Sequence, residues 1–333
     1  MKQVVLTVFV LLAVVASRPA AQSRNTLVVT SSNVASANSL LVFDSTGALV
    51  QTIPTGGQGG VSGNAGGVAA AGRLVAVVNF GSQSVSLFEL TNDAFVLTDT
   101  VNTISKPVSV AFGHGHLYVL GTTSVESHQL HGHDIEAASD GSTALLRADE
   151  SAAQIGVVGD QLLITEKSNT VETVSLQAGA VVGTAIEVPI PAGSDTPLGL
   201  TTRGSVGYVT IAHSDEVGLV KGGQLITLVG SGSQHAPCWL ALVGQSLYSS
   251  NSPSHSISRY IVSGNQVVLD AEVVATTAGA PTDIGAFGNV VGVLDGGTQT
   301  HLTQFAVDAD GNLQQIAVSV VNRGANGVAV IER

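Results

Sequence analysis

Four short apolar stretches begin with proline at the same phase of a long repeat. They are Lys106-Pro107-Val108-Ser109-Val110-Ala111, Thr196-Pro197-Leu198-Gly199-Leu200, Ala236-Pro237-Cys238-Trp239-Leu240-Ala241 and Ala280-Pro281-Thr282-Asp283-Ile284-Gly285. Proline cannot donate to a sheet ladder, so within a sheet it belongs at the first residue of a strand. Each stretch is followed by a second apolar run, at 117–120, 207–211, 246–249 and 290–294. Similar openings without proline occur at Gly67, Ala153 and Ala325. The openings recur about every 40 to 45 residues, the period of a four-stranded propeller blade.

The segment from Gly67 to Leu90 shows the grammar most clearly. One apolar strand ends at Ala71-Gly72, a second runs from Leu74 to Val78, Asn79 to Gln83 form a polar turn, and a third strand alternates from Ser84 to Leu90. Outer hairpins turn at Ser263-Gly264-Asn265 and Ala309-Asp310-Gly311-Asn312, both hairpin signals between alternating strands. The first unit, from Asn25 to Ile53, has three strands and no opening strand. The last opening, Gly324-Ala325-Asn326-Gly327-Val328-Ala329, has no strands after it. The fold class expected is therefore all-β: a seven-bladed β-propeller closed by pairing of the C-terminal strand with the N-terminal blade. Closure of this kind removes two exposed sheet edges. The connector 56–67 carries seven glycines, which implies sharp bends or close backbone approach.

Composition agrees. Charged residues are 11% of the 333-residue chain, against about 25% in an ordinary globular protein. Helix surfaces need Glu, Lys and Arg, whereas β-branched residues with glycine turns favour short strands. The net charge of −12 argues against nucleic acid or an anionic membrane as a partner. Cys238 is the single cysteine, so no intrachain disulfide can form, and its apolar flanks mark it as a small buried residue.

The amino terminus has the pattern of an export signal. Lys2 gives a basic start, 4–16 is apolar but for Thr7, and 17–23 is rich in small residues. Cleavage after Ala16 or after Ser23 fits the small-residue rule. The domain division expected is 1–23 signal peptide and 24–333 a single propeller, secreted or periplasmic, with no membrane span. A monomer is expected.

The run Asn79-Phe80-Gly81-Ser82-Gln83-Ser84-Val85-Ser86-Leu87-Phe88 resembles the strand motif of bacterial lactonase-like propellers, often labelled 6-phosphogluconolactonase-like. The openings at Lys106 and Ala236 and the closing Gly324-Ala325-Asn326-Gly327-Val328-Ala329 are similar to that family's blade openings and last strand. The resemblance implies lactone hydrolysis or the related cyclisation of muconates. Binding a phosphorylated or carboxylated sugar acid calls for several cations. Beyond residue 23 the chain has only Arg24, Arg73, Arg147, Arg203, Arg259, Arg323, Arg333, Lys106, Lys167 and Lys221. Of these, Arg203 falls at a channel mouth by the repeat phase.

Three groups of residues are candidates for chemistry. Sites on propellers favour loops at the ends of the inner strands. This selects His235, Asp283 and Asp195 as a catalytic set, in which a histidine with two carboxylates would act as general base or hold Ca²⁺. It also selects Arg203, Glu166, His213, Asp295 and Asn326 as ligand contacts. A third group, His128, His131 and His133 beside Asp134, suits Zn²⁺, Ni²⁺ or Cu²⁺ by ligand type. On a strand His131 and His133 would share a face, but the repeat phase places all three on an outer hairpin, where solvated side chains are the ordinary outcome. No nucleophile elbow, phosphate loop or aromatic–basic interleaving is present. The sequence thus favours a binding or scaffold propeller for a small molecule or protein, with no cofactor beyond a possible divalent metal. The alternative is a lactonase-type hydrolase acting on a sugar-acid lactone or related cyclic ester.

Overall fold

The computed structural model describes residues 26–333, so the signal-like residues and both cleavage positions lie outside the described part. Seven sheets are arranged as blades. Blade 1 is built from β1 (Thr26–Ser31), β2 (Ser39–Phe43) and β3 (Leu49–Pro54), with the last strand of the chain, β29 (Asn326–Glu332), as its innermost member. Blade 2 is β4 (Val68–Ala71), β5 (Leu74–Asn79), β6 (Ser84–Thr91) and β7 (Ala94–Asn102). Blade 3 is β8 (Pro107–Gly113), β9 (His116–Gly121) and β10 (Ser124–His131), with β11 (Asp134–Ile135) and β12 (Gly141–Ala144) both pairing with β10. Blade 4 is β13 (Ala152–Val158), β14 (Gln161–Glu166), β15 (Thr170–Gln177) and β16 (Ala180–Glu187). Blade 5 is β17 (Pro197–Arg203), β18 (Val206–Ile211), β19 (Glu216–Lys221) and β20 (Gln224–Gly230). Blade 6 is β21 (Pro237–Val243), β22 (Ser246–Asn251), β23 (Ser256–Ser263) and β24 (Gln266–Thr276). Blade 7 is β25 (Ala280–Phe287), β26 (Val290–Gly296), β27 (Thr300–Val307) and β28 (Leu313–Val321).

The expected closure is present. β1 and β29 pair antiparallel from Thr26↔Glu332 to Ser31↔Asn326, and Val28, Val29, Val330 and Ile331 are buried there. The prolines stand where the ladder tolerates them: Pro107, Pro197 and Pro237 are first residues of inner strands and Pro281 is second. Just after each the register slips, between Pro107/Ser109, Pro197/Leu200, Pro237/Trp239 and Pro281/Asp283, and likewise at Ala152/Gln154. Such bulges leave a residue outside the ladder and free its backbone groups.

The core lies between blades, because each twisted sheet buries both faces against its neighbours. The second and third strands carry most of the largest buried side chains, among them Tyr118, Tyr248, Tyr260, Phe88 and Phe305. Tyr118 and Tyr248 hold equivalent places, and each donates its hydroxyl to a turn carbonyl of the next blade, Gly179 at 2.8 Å and Gly311 at 2.7 Å. A polar network also recurs. Asn79 donates to Ser84 and Ser86 in blade 2, and Asn251 donates to Ser256 and Ser258 in blade 6.

Blade 3 departs from the repeat. Its hairpin turns at His131-Gly132-His133, β11 ends after two residues, and the chain returns as β12 beside the inner half of β10. His131 is therefore the last residue of β10 and His133 is in the turn, so the two do not share a strand face.

Candidate site in the axial channel

The glycine-rich connector 56–67 enters the channel at the end where the inner strands begin. It is anchored in blade 1, where the Asn33 carboxamide accepts the Gly60 N–H at 2.7 Å and donates to Val61 O at 2.8 Å. Asn64 donates to Val108 O, a carbonyl freed by the blade 3 bulge, and accepts from Asn326 at 3.1 Å. Ala65 N–H reaches Ala153 O in blade 4 at 3.3 Å. Gly66 sits on the axis: it donates to Asp283 Oδ2 of blade 7 at 3.2 Å and accepts from Val110 N–H of blade 3 at 2.9 Å. Its φ of +64° suits glycine, and a Cβ would come within 2.8 Å of Ser109 Oγ. Lys167 of blade 4 donates to Gly63 O at 3.0 Å from outside. The connector is thus a plug tied to blades 1, 3, 4 and 7.

Asp283 is the carboxyl that latches the plug. It accepts N–H groups from Gly66 and Ile284 and is 2% exposed. Burial pushes its carboxyl up to about 7, against the opposing pull of the Ile284, Gly66 and Val328 N–H groups.

The plug divides the channel. On its far side a cavity of about 680 Å³ opens where the inner strands end, with Gly66 and Asp283 at its floor and Gln154, Thr202, Leu242 and Phe287 among its walls. That volume suits a small ligand. Arg203, the last residue of β17, is at the rim, with its guanidinium against Gly244 O. Among the described lining residues it is the one cation. A smaller hollow of about 330 Å³ lies on the plug side, between Val61, Asn64, Trp239, Pro281 and Asn326.

The residues selected from sequence fall into four places. His235 and Asp195 sit on the plug-side face, but each pairs elsewhere: His235 Nδ1 with Asp215 Oδ2 at 3.0 Å, and Asp195 Oδ2 with His213 Nδ1 at 3.5 Å. Burial would raise the Asp215 carboxyl, yet the Ala236 N–H and His235 hold it below its ordinary value. Asp283 belongs to the axis, so the catalytic set is not brought together. Arg203 ends a seven-residue strand that begins beside Asp195, which separates them by roughly 20 Å along the strand. Asn326 is buried in the plug contact. Asp295 is buried against His301 at 3.0 Å, and Glu166 is buried against Glu172.

The histidine group also separates. His128 is 1% exposed, not solvated, and faces Glu126 at 3.4 Å. Burial would lower its pKa, but hydrogen bonds to Glu126 and Glu136 raise it. His131 faces Glu136, and His133 faces Glu89 and Asp134. Among the described residues no group of three His, Cys, Asp or Glu has metal-binding geometry. Cys238 is a free thiol, and burial raises its pKa. Sequence reasoning missed Asn33, Asn64, Gln154, Glu172 and Asp215. Only Asn64 carried a local signal, as a polar side chain inside the glycine run.

Solved structures share this architecture. A candidate 6-phosphogluconolactonase of Bacteroides fragilis superposes with a TM-score of 0.66 at 15% identity, over 95% of this chain and 100% of that one. One from Bacteroides uniformis gives 0.68 at 17%, over 93% and 100%. A functionally unknown protein of Desulfotomaculum acetoxidans gives 0.70 at 13%, over 92% and 99%. The likeness is one of fold. No protein-family profile and no curated protein matches the sequence. Among the described residues no helix is long and apolar enough to cross a membrane.

Proposed function

We propose that the chain is an exported binding propeller that takes a small carboxylate-bearing ligand into the open half of its channel. The observation that carries this reading is the blind cavity itself, with a guanidinium at its rim and a plugged floor. A guanidinium is suited to a carboxylate because it offers paired donors. The floor carboxyl of Asp283 has both oxygens engaged by N–H groups of the plug and of its own strand, so it is committed to holding the plug. The His–Asp pairs stand on the opposite face, away from the cavity.

Lactone hydrolysis is the second reading, favoured by the descriptions of two structural neighbours. It would fall to His235, oriented through Nδ1 by Asp215, with water as nucleophile. One experiment separates the two. Purified chain is titrated with gluconate by calorimetry and assayed for turnover of glucono- and muconolactone. The binding reading expects no turnover, and gluconate affinity about tenfold or more weaker in Arg203→Ala, since a charge-assisted hydrogen bond contributes about 1.5–3 kcal/mol. Lactone turnover that disappears in His235→Ala establishes the hydrolase instead.

A further inference from the structure

Glu166 and Glu172 are both fully buried in blade 4, and the repeat shows how unusual that is. In blade 2 the register pairs Asn79 with Ser84, and Val77 with Ser86. In blade 6 it pairs Asn251 with Ser256, and Ser249 with Ser258. In blade 4 the same places are taken by Glu166 with Thr170, and by Ile164 with Glu172. A neutral Asn–Ser–Ser network has been replaced by two carboxyl groups around a threonine.

Each carboxyl uses one oxygen to hold the crossover 145–151 that leaves blade 3. Glu166 Oε1 accepts the Arg147 N–H at 3.1 Å and Glu172 Oε2 accepts the Leu146 N–H at 2.9 Å. The second oxygens, Glu166 Oε2 and Glu172 Oε1, are buried and meet no donor. Other buried acids at these places have a histidine: Glu126, which stands where Glu172 does one blade later, faces His128, and Asp295 faces His301. Glu166 and Glu172 have each other.

We propose that Glu166 and Glu172 hold one proton between them, and that this proton clamps the 145–151 crossover to blade 4, so that the crossover loosens as pH rises through neutrality. Two ionised carboxylates cannot share a dry site, whereas a carboxyl–carboxylate pair forms one short hydrogen bond. Burial first, and the neighbouring Glu172 charge second, push Glu166 up to about 8. Burial raises Glu172 to about 7, while hydrogen bonds from Leu146 and from Glu166 pull the other way. Around the pair, Asp149 on the crossover adds repulsion and Arg147 opposes it. Glu187 on β16 is the cross-strand partner of Glu172. A recess of about 160 Å³ lined by Leu146, Arg147, Thr170 and Glu187 gives water a route to the crossover. This clamp is independent of any ligand in the channel.

The test is amide hydrogen exchange at Leu146 and Arg147 in the intact chain, corrected for intrinsic rates. Opening exposes both carboxyls to water and releases the shared proton. Protection should therefore fall about tenfold per pH unit between about pH 5 and about pH 8. In Glu166→Gln the amide supplies a permanent donor to Glu172, and protection should stay flat over that range. Glu172→Gln carries the same expectation and serves if the first variant does not fold. The proposal is overturned by flat protection in the wild type, or by a slope that persists in a folded Gln variant. It is also overturned if millimolar Ca²⁺ restores protection at the alkaline end in the wild type alone, because the pair would then be a cation site.

Discussion

Removing the Asp283 side chain tests the plug. Asp283→Ala leaves the Gly66 and Ile284 N–H groups buried without acceptors. Each unsatisfied donor costs about 1–3 kcal/mol, so the variant should lose roughly 2–6 kcal/mol where the aspartate is uncharged. The sign of the pH dependence follows from the raised pKa. The native carboxyl titrates at about 7 rather than at 3.8, so the folded state binds its proton more tightly than the unfolded chain does. That contribution is complete below the unfolded value and is lost as pH rises through the folded one. Wild-type stability should thus fall by about 1.4 kcal/mol per pH unit from this group over that window, while the alanine variant lacks the slope. The difference between the two should be largest below about pH 4 and small by about pH 8. Urea melts followed by the fluorescence of Trp239, the single tryptophan, report beside the plug. Comparing variant with wild type at each pH cancels the titration of the distant Glu166–Glu172 pair. A difference that stays constant, or grows with pH, refutes the assignment of Asp283 as a proton-carrying latch.

The ring makes four other tests available. Tyr248→Phe removes a buried bond to Gly311 O and should cost about 1–2 kcal/mol by urea denaturation. Tyr260→Phe should cost nearly nothing in the same assay, because that buried hydroxyl has no partner. Arg203→Ala should change stability by no more than about 0.5 kcal/mol, since the residue is exposed, and a larger loss would mean that its guanidinium holds the rim. Deleting β29 should abolish the cooperative melt, because it uncovers the edge of β1 and strips Val328, Val330 and Ile331 from the core. A truncated chain that still melts cooperatively would show that closure is dispensable.

The ring was readable because its signals are local. A proline at a strand start, a glycine turn and an alternating hairpin each announce themselves within a few residues, and the repeat multiplies them. The site was not readable, because its contacts are remote. Gly66 meets Asp283 across 217 positions and Asn64 meets Asn326 across 262. Nothing near residue 66 says which blade it will touch. Phase correctly put Arg203 at a channel mouth, but it did not say that the plug would leave that mouth open and place His235 and Asp195 on the other face. Their partners escaped notice for a related reason: Asp215 follows a short 3₁₀ turn with φ of +57°, which no periodicity predicts. In blade 3 the histidine turn gave the hairpin, and the return as β12 carries too few residues to leave a pattern.

The connector acts as a length gauge. Its reach from Asn33 to the axis is fixed, and its tip must meet Val110, Ala153 and Asp283 at once. A duplicated blade would widen the annulus and pull at least one of those anchors out of range, and a deleted blade would crowd them. Modules elsewhere in the circle can drift in sequence, but their number cannot drift without redesign of these twelve residues.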